Sequence, residues 1–296
     1  MVIGIDLGGT KIEGVVLGDD LHTLERRRLP TERERGYEHI VERVAGMVGA
    51  LRASAPGCDV VGIGTPGSLS ARDGTLKNSN TTCLNGRPLQ ADLERRLGLR
   101  VLLENDANCF ALAEARAGAG QGRAMVFGVI LGTGVGGGIV HEGRIWVGPQ
   151  HIAGEWGHHA IDPSGPACYC GQRGCVETMI SGPALEAAYR AAGGPPESAT
   201  EVAARAAAGE PRAAAVVDRY LDRFGRALAN VINILDPDVV VLGGGVSRLE
   251  TLYTRGRDAV ARYVFNDELR TPIVPNRLGD SAGVIGAALL AAQRSS

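Results

Sequence analysis

VIGIDLGGTKIEGVVL, residues 2–17, consists of two apolar, β-rich runs, 2–7 and 12–17, separated by Gly8, Gly9, Thr10 and Lys11. Branched apolar residues on either side of a glycine tip read as a hairpin. The design returns half a chain later as MVFGVIL (125–131), a loop from Gly132 to Gly138, and IVHEGRIWV (139–147). Two hairpins of one design point to an internal duplication with two facing lobes.

Around the hairpins, strands and helices alternate. Ile40, Val41, Val44, Met47, Val48 and Leu51 share one face of a helix over 37–53. VVGIGTPG (60–67) reads as a strand ending in a Pro-Gly loop, and RVLLENDAN (100–108) as a strand running into the helix ANCFALAEARAG. Helices follow at 182–193, 198–208 and 212–235, then the strand DVVVLGGG (238–245), a helix from Leu249 to Val264 and a closing apolar helix, GVIGAALLAAQ (283–293). The pattern means an α/β architecture.

A chain of 296 residues exceeds one average domain, which again suggests two lobes. Its 44% hydrophobic and 22% charged residues describe a globular protein that needs no disulfide staples. A net charge of −2 gives no footprint for nucleic acid, and the charged runs Glu25 to Arg28 and Glu32 to Arg35 read as solvated. VIGAALLAA is far shorter than the roughly 20 residues of a membrane span. Met1 runs directly into VIGIDLGG without the features of a signal peptide, so no membrane partner and a cytoplasmic location are expected.

The densest chemistry lies in GEWGHHAIDPSGPACYCGQRGCVET (154–178), which holds three of the chain's six cysteines. Cys168, Cys170 and Cys175 with His158 form a soft thiolate and imidazole set that suits structural Zn²⁺ in a closed tetrahedral site. One residue between Cys168 and Cys170 is fewer than common zinc knuckles use. The competing reading is three buried thiols beside an unrelated histidine, with His159 as a second ligand candidate. Cys58, Cys83 and Cys109 read as dispersed core thiols. Cysteines at ligand spacing favour a reducing compartment.

Gly132, Thr133, Gly134, Gly136 and Gly137 contain GxGxxG, but a strand rather than a helix follows, which speaks against a dinucleotide fold. Glycines at hairpin tips let backbone N–H groups approach phosphate oxygens. The matching loop Gly8-Gly9-Thr10-Lys11 strengthens a phosphate reading, with Lys11 either near a phosphate or solvated. Asp6 beside that loop is placed to reach nucleotide-bound Mg²⁺, and Gly243, Gly244 and Gly245 are candidates for an adenosine wall. Phosphoryl transfer asks for positioning, charge stabilisation and a carboxylate that accepts the hydroxyl proton. Asp106 is the candidate base, and the same residue also suits a helix cap. Asn105 offers a sugar hydroxyl both donor and acceptor, while Glu155 and Glu177, bracketing the cysteine loop, suit a polyol or local ion pairs.

Taken together, DLGGTK, ENDAN, LGTGVGGG, GEWGHH and CYCGQRGCVE resemble the ROK family of bacterial sugar kinases and sugar-responsive repressors, over nearly the whole chain. The resemblance implies the two-lobed actin/hexokinase-like (ribonuclease H-like) ATPase fold with a zinc-binding loop, closing over ATP and a hexose. It implies a small lobe over 1–106, closed by the C-terminal helix 283–296, and a large lobe over 107–282. It gives structural zinc to His158, Cys168, Cys170 and Cys175, turns the other ring nitrogen of His158 to the sugar, and adds Gly67, Asn78, Asn105, Glu155 and Glu177 as sugar contacts. It also implies Asp106 as base and a homodimer.

Repressors of this kind carry a helix-turn-helix segment ahead of DLGGTK, and so few residues precede the motif here that the DNA-binding reading is set aside. A sugar sensor without activity is the other alternative, against which stand Asp106 and both phosphate loops. LKNSNTTCLNGRPL (76–89) and GEWGHHAIDP most resemble the fructokinase and mannokinase branch, and ILDPDVVVLGGGVSRLETLY (234–253) with its following helix agrees, so fructose is expected, with mannose as side substrate. ENDANCFALAEA fits N-acetylglucosamine kinases equally well, and glucose is third.

Overall fold

The computed structural model describes residues 1–293. Its first half builds strands β1 (Val2–Leu7), β2 (Lys11–Leu17) and β3 (Thr23–Pro30), helix α1 (Tyr37–Arg52), β4 (Val60–Thr65), the short pair β5 (Ser68–Leu69) and β6 (Leu76–Lys77), α2 (Leu89–Leu97), β7 (Arg100–Asn105) and α3 (Asp106–Ala117). Then come β8 (Met125–Leu131), β9 (Val135–His141), β10 (Arg144–Ile145), α4 (Val176–Ile180), α5 (Gly182–Ala191), α6 (Ala199–Ala207), α7 (Pro211–Leu235), β11 (Val239–Gly243), α8 (Arg255–Ala261), β12 (Ile273–Pro275) and α9 (Ala282–Ala292). One compact unit comprises Met1–Ala117, Gly143–Ala153 and the chain from Leu278 on, and a second comprises Gly118–Glu142 and Gly154–Arg277. Residues 294–296 of the expected closing segment lie outside the described residues.

In the first unit the sheet order is β3-β2-β1-β4-β7. The expected hairpin is present, antiparallel from Val2↔Leu17 to Leu7↔Ile12, and β4 and β7 continue parallel to β1. Alternation splits β1 between two faces. Ile3 and Ile5 join Ile40, Val44 and Val48 of α1, whereas Gly4 faces α9. Gly4 and Gly62 are neighbours across β1 and β4, and a Cβ at Gly62 would stand 1.8 Å from the Ala287 carbonyl oxygen. Two bare backbones thus let α9 lie directly on the sheet.

The same device joins α9 to α3, where a Cβ on Gly286 would meet the Cys109 carbonyl at 1.8 Å. That packing keeps α3 in the first unit, so the division falls after Ala117 rather than at residue 106. The run Glu25 to Arg28 has its three arginines exposed, in line with the solvated reading, and it is part of the edge strand β3. Arg26 and Arg28, on one face by the two-residue period, both reach the buried Glu13, at 3.6 and 2.8 Å.

The second unit repeats the arrangement with β9-β8-β11-β12, a hairpin followed by two parallel strands. β11, VVVLG, is buried at every residue, as a central parallel strand requires. Tyr220, Phe224 and Leu228 of α7 share a core with Phe127, Val129, Val240 and Leu242. The helix expected over 249–264 shortens to a 3-10 turn, Glu250–Leu252, and α8, because Thr254 takes a non-helical conformation between them (φ −109°, ψ −93°). Among the described residues no helix is long and apolar enough to cross a membrane.

Candidate active site

The tip between β1 and β2 is braced from both sides. Gly8 N–H donates to the Lys11 carbonyl (2.9 Å), while Thr31 donates from its hydroxyl to the Gly8 carbonyl (2.7 Å) and from its N–H to the Thr10 carbonyl (2.9 Å). Lys11 leaves the tip along β2, its ammonium 3.5 Å from Glu13. Asp6, one residue before the end of β1, lies against the first turn of α9, with Oδ2 3.1 Å from where a Cβ on Gly283 would stand. Burial pushes its carboxyl from 3.8 up to about 7, the charges of Asp106 and Glu13 add to the rise, and Lys11 opposes it. Such a group has reason to take a cation.

Residues that sequence reasoning missed stand beside this tip. Arg33 Nη1 and Thr81 Oγ1 each lie 3.4 Å from the Cβ position of Gly9. The Thr81 hydroxyl is buried without a hydrogen-bond partner among the described residues. Arg33, Glu34, Asn80, Thr82 and Cys83 line a cavity of about 350 Å³. Cys83, expected in the core, is only half-buried here. The sequence offers one signal, an arginine in the charged run 32–35, and a charged run by itself reads as solvated.

Where β7 enters α3, Asn105 does most of the capping. Its Oδ1 accepts from Ala107 N–H (2.9 Å) and Asn108 N–H (3.3 Å), and its Nδ2 donates to the Gly67 carbonyl (3.1 Å). Asp106 Oδ1 accepts from Ala107 N–H at 2.9 Å. Glu104, whose carboxyl burial pushes upward, fixes the pair from behind by accepting from Asn105 N–H (2.8 Å) and Asn108 Nδ2 (3.0 Å). Gly67 has φ +87°, and a Cβ there would stand 2.4 Å from the Lys77 carbonyl, so only glycine fits the loop against 77–79. Gly67, Asn105 and Asp106 are therefore brought together. Asn78 stands exposed on that neighbouring stretch in a left-handed conformation (φ 60°).

The second unit carries its own loop. Gly132 N–H donates to the Gly134 carbonyl (2.9 Å), Gly182 N–H donates to the Gly132 carbonyl (2.9 Å), and Glu177 Oε2 accepts from Val135 N–H (3.0 Å). The turn is Gly132-Thr133-Gly134, shorter than expected. Gly136 and Gly137 belong to β9, paired with Ile130 and Val129, and are not loop residues. Their bareness serves packing. Trp156 Nε1 donates to the Gly136 carbonyl (3.0 Å), and a Cβ on Gly137 would stand 2.6 Å from the indole. Gly244, φ +84°, abuts the end of β8, where a Cβ would stand 2.3 Å from the Leu131 carbonyl.

Trp156 holds the turn Trp156–His158, which Glu155 precedes, against β9. From there His158 meets the cysteines, and the ligand atoms of His158, Cys168, Cys170 and Cys175 all lie within 4.8 Å of one another. The short Cys168–Cys170 spacing works because Gly171 and Gly174, at φ +91° and +62°, fold the segment into a tight hairpin. Cys170 Sγ is 3.6 Å from Cys175 Sγ, and Cys168 Sγ is 3.5 Å from His158 Nδ1. Thiolates around zinc at ~2.3 Å would stand about 3.8 Å apart, so the set could hold that ion. Without one, burial and hydrogen bonds from Cys170 and Cys168 push the Cys175 thiol up to about 12. A divalent cation supplies the charge that makes such thiols thiolates.

The other ring nitrogen of His158, expected to face a sugar, lies 2.9 Å from the Tyr169 hydroxyl. The rings meet edge to face with centroids 5.0 Å apart. Desolvation pushes the Tyr169 hydroxyl up to about 12, with further contributions from Glu177, Cys168, Glu155 and Cys170.

Comparison with known proteins bears on this arrangement. A family model described as ROK family matches residues 2–294. The N-acetyl-D-glucosamine kinase of Photobacterium profundum is 39% identical over 301 residues, covering 98% of this chain and 99% of that protein. Among solved structures, the ROK hexokinase from Thermus thermophilus superposes with a TM-score of 0.89 at 37% identity, covering 99% of this chain and 98% of that one. The ROK family glucokinase from Streptomyces griseus, in complex with glucose and AMPPNP, gives a TM-score of 0.82 at 30% identity, with 99% of both chains covered.

Proposed function

The chain belongs to the ROK family, and we propose that it is the member of that family's ATP-dependent sugar kinases that phosphorylates the 6-hydroxyl of N-acetylglucosamine. The observation that carries the choice of sugar is identity over essentially the whole length to a protein named for that activity. The fructose expectation, and mannose with it, gives way. It rested on 76–89, GEWGHHAIDP and 234–253, separate stretches set against a full-length likeness. Glucose is the second reading, favoured by the likeness to the Streptomyces griseus glucokinase.

In this reading Asp106 accepts the proton of the sugar 6-hydroxyl as its oxygen attacks the γ-phosphorus and the bond from that phosphorus to the β–γ bridging oxygen breaks, releasing ADP. Asn105, locked to the Gly67 carbonyl and capping α3, fixes where Asp106 stands. Asp6 would hold the Mg²⁺ that arrives with ATP, whose charge would offset the burial, and then the neighbouring charges of Asp106 and Glu13, that push its carboxyl up to about 7. The tips at Gly8-Gly9-Thr10 and Gly132-Thr133-Gly134 present backbone N–H groups to phosphate oxygens, and Gly244 gives the nucleotide a bare surface. Glu155, His158 and Glu177 receive sugar hydroxyls. His158 and the three cysteines would hold zinc, which would fix the loop from which that histidine projects.

The test is ADP release with ATP and Mg²⁺ against N-acetylglucosamine, glucose, mannose, fructose and N-acetylmannosamine, ranked by kcat/KM. A lead for N-acetylglucosamine is expected. A lead for glucose replaces it with the second reading, and turnover with none of them overturns the kinase assignment.

A further inference from the structure

Tyr169 stands in the middle of the metal-ligand segment Cys168-Tyr169-Cys170, and its side chain is 68% exposed. A large aromatic so exposed adds little to a core there. Its hydroxyl nevertheless has a definite partner, His158 Nε2 at 2.9 Å. The nitrogen on the other side of that ring, Nδ1, faces the cysteines, 3.5 Å from Cys168 Sγ. With Nδ1 turned to a metal, Nε2 carries the ring proton and has one N–H to give.

That single N–H is the group the proposed reaction assigns to a sugar hydroxyl, so the tyrosine and the sugar compete for it. We infer that Tyr169 is a specificity-determining residue of the sugar site: its hydroxyl occupies the place of a substrate hydroxyl on His158 and must swing out for sugar to bind. The inference rests on the sugar-kinase reading above. The hydroxyl is a stand-in that holds the imidazole in one tautomer and orientation while the site is empty. The edge-to-face ring contact with His158 keeps it there, and the exposure of the side chain lets it leave without opening a core. A sugar lacking a hydroxyl at that place cannot match the exchange and leaves the N–H with the tyrosine.

The experiment is steady-state kinetics of wild-type and Tyr169→Phe enzyme with N-acetylglucosamine and with glucose, at saturating and at varied ATP, with zinc content measured on both proteins. Phenylalanine keeps the ring contact and removes the competitor. The expected result is a KM for sugar lower by about two- to tenfold, the range of one net hydrogen bond. The expected kcat, KM for ATP and zinc content are those of wild type. A merely structural tyrosine would move kcat or zinc together with KM. An unchanged or raised KM for sugar, with zinc retained, overturns the inference and leaves the kinase reading standing. A wild-type enzyme that phosphorylates neither these nor the other hexoses overturns both.

Discussion

Replacing Asp6 by asparagine is expected to stabilise the ligand-free protein while removing its activity. Burial, and then the charges of Asp106 and Glu13, hold this carboxyl at about 7 against an ordinary 3.8. When an acid's pKa is raised by folding, the unfolded chain gives up the proton at a lower pH than the folded one. Stability therefore falls as pH climbs from about 3.8 to about 7 and is level above that. At ~1.36 kcal/mol per pH unit, the interval from 3.8 to about 7 corresponds to about 4 kcal/mol lost at pH 8. Asparagine keeps the shape and has no proton to lose, so about 2–4 kcal/mol returns, a rise in Tm of roughly 5 °C or more. Urea unfolding of both proteins without nucleotide, at pH 4 and pH 8, reads the effect. The midpoints should nearly coincide at pH 4 and separate at pH 8 in favour of the variant, while Mg²⁺ with ATP should stabilise only the wild type. Equal stability at pH 8, or a weaker variant there, refutes the reasoning, because the charge would then already be compensated within the fold.

Asp106→Asn should lower kcat by about 10²–10⁴ while sugar and ATP still bind; isothermal titration beside turnover separates the two, and substantial residual kcat removes Asp106 as base. Cys170→Ala should lose zinc and raise KM for sugar more than KM for ATP. Cys170 is exposed, so its truncation opens no cavity and the change reads the metal alone; elemental analysis with kinetics checks it, and wild-type protein free of zinc dismisses it. Gly62→Ala should destabilise by several kcal/mol, about 3 or more, because its Cβ meets the Ala287 carbonyl at 1.8 Å and backbone cannot give way. Thermal unfolding reports it, and a loss below about 1 kcal/mol would mean that α9 does not press on β4.

The duplicated hairpin was legible because β-branched runs with glycine tips leave few other readings, and the cysteine set because all its ligands lie close in sequence. β3 was missed because an edge strand outside the core carries charge on both faces and shows no alternation. α2 escaped because nine residues with only Leu89 and Leu93 buried give a weak period. Gly136 and Gly137 were misread for a physical reason: a glycine that turns a chain and one that lets an indole lie on a strand look alike in sequence. Arg33 and Thr81 were invisible for the opposite reason. Arg33 sits in a charged run that by itself reads as solvated, nothing marks Thr81, and only folding sets 33 and 81 beside Gly9.

Glu177 shows why a structural metal would matter to a reaction in which it takes no part. The residue lies two positions after Cys175, a proposed zinc ligand, at the start of α4, and one of its oxygens accepts the Val135 N–H that follows the Gly132-Thr133-Gly134 turn. A hydrogen bond to a charged acceptor contributes about 1.5–3 kcal/mol, enough to choose one conformation for a glycine turn that has few constraints of its own. The same carboxylate keeps a second oxygen for a polyol. In the second unit, then, the cysteine hairpin leads into α4, α4 carries Glu177, and in the proposed reading Glu177 would address both a sugar hydroxyl and the turn that takes phosphate. Loss of the metal is felt first where the proposed sugar contacts His158 and Glu177 both depend on the hairpin. In the proposed reading it would reach ATP less directly, through the Val135 N–H bond to Glu177 and the Gly182 N–H bond to the Gly132 carbonyl, which is why Cys170→Ala is expected to raise KM for the sugar more than KM for the nucleotide.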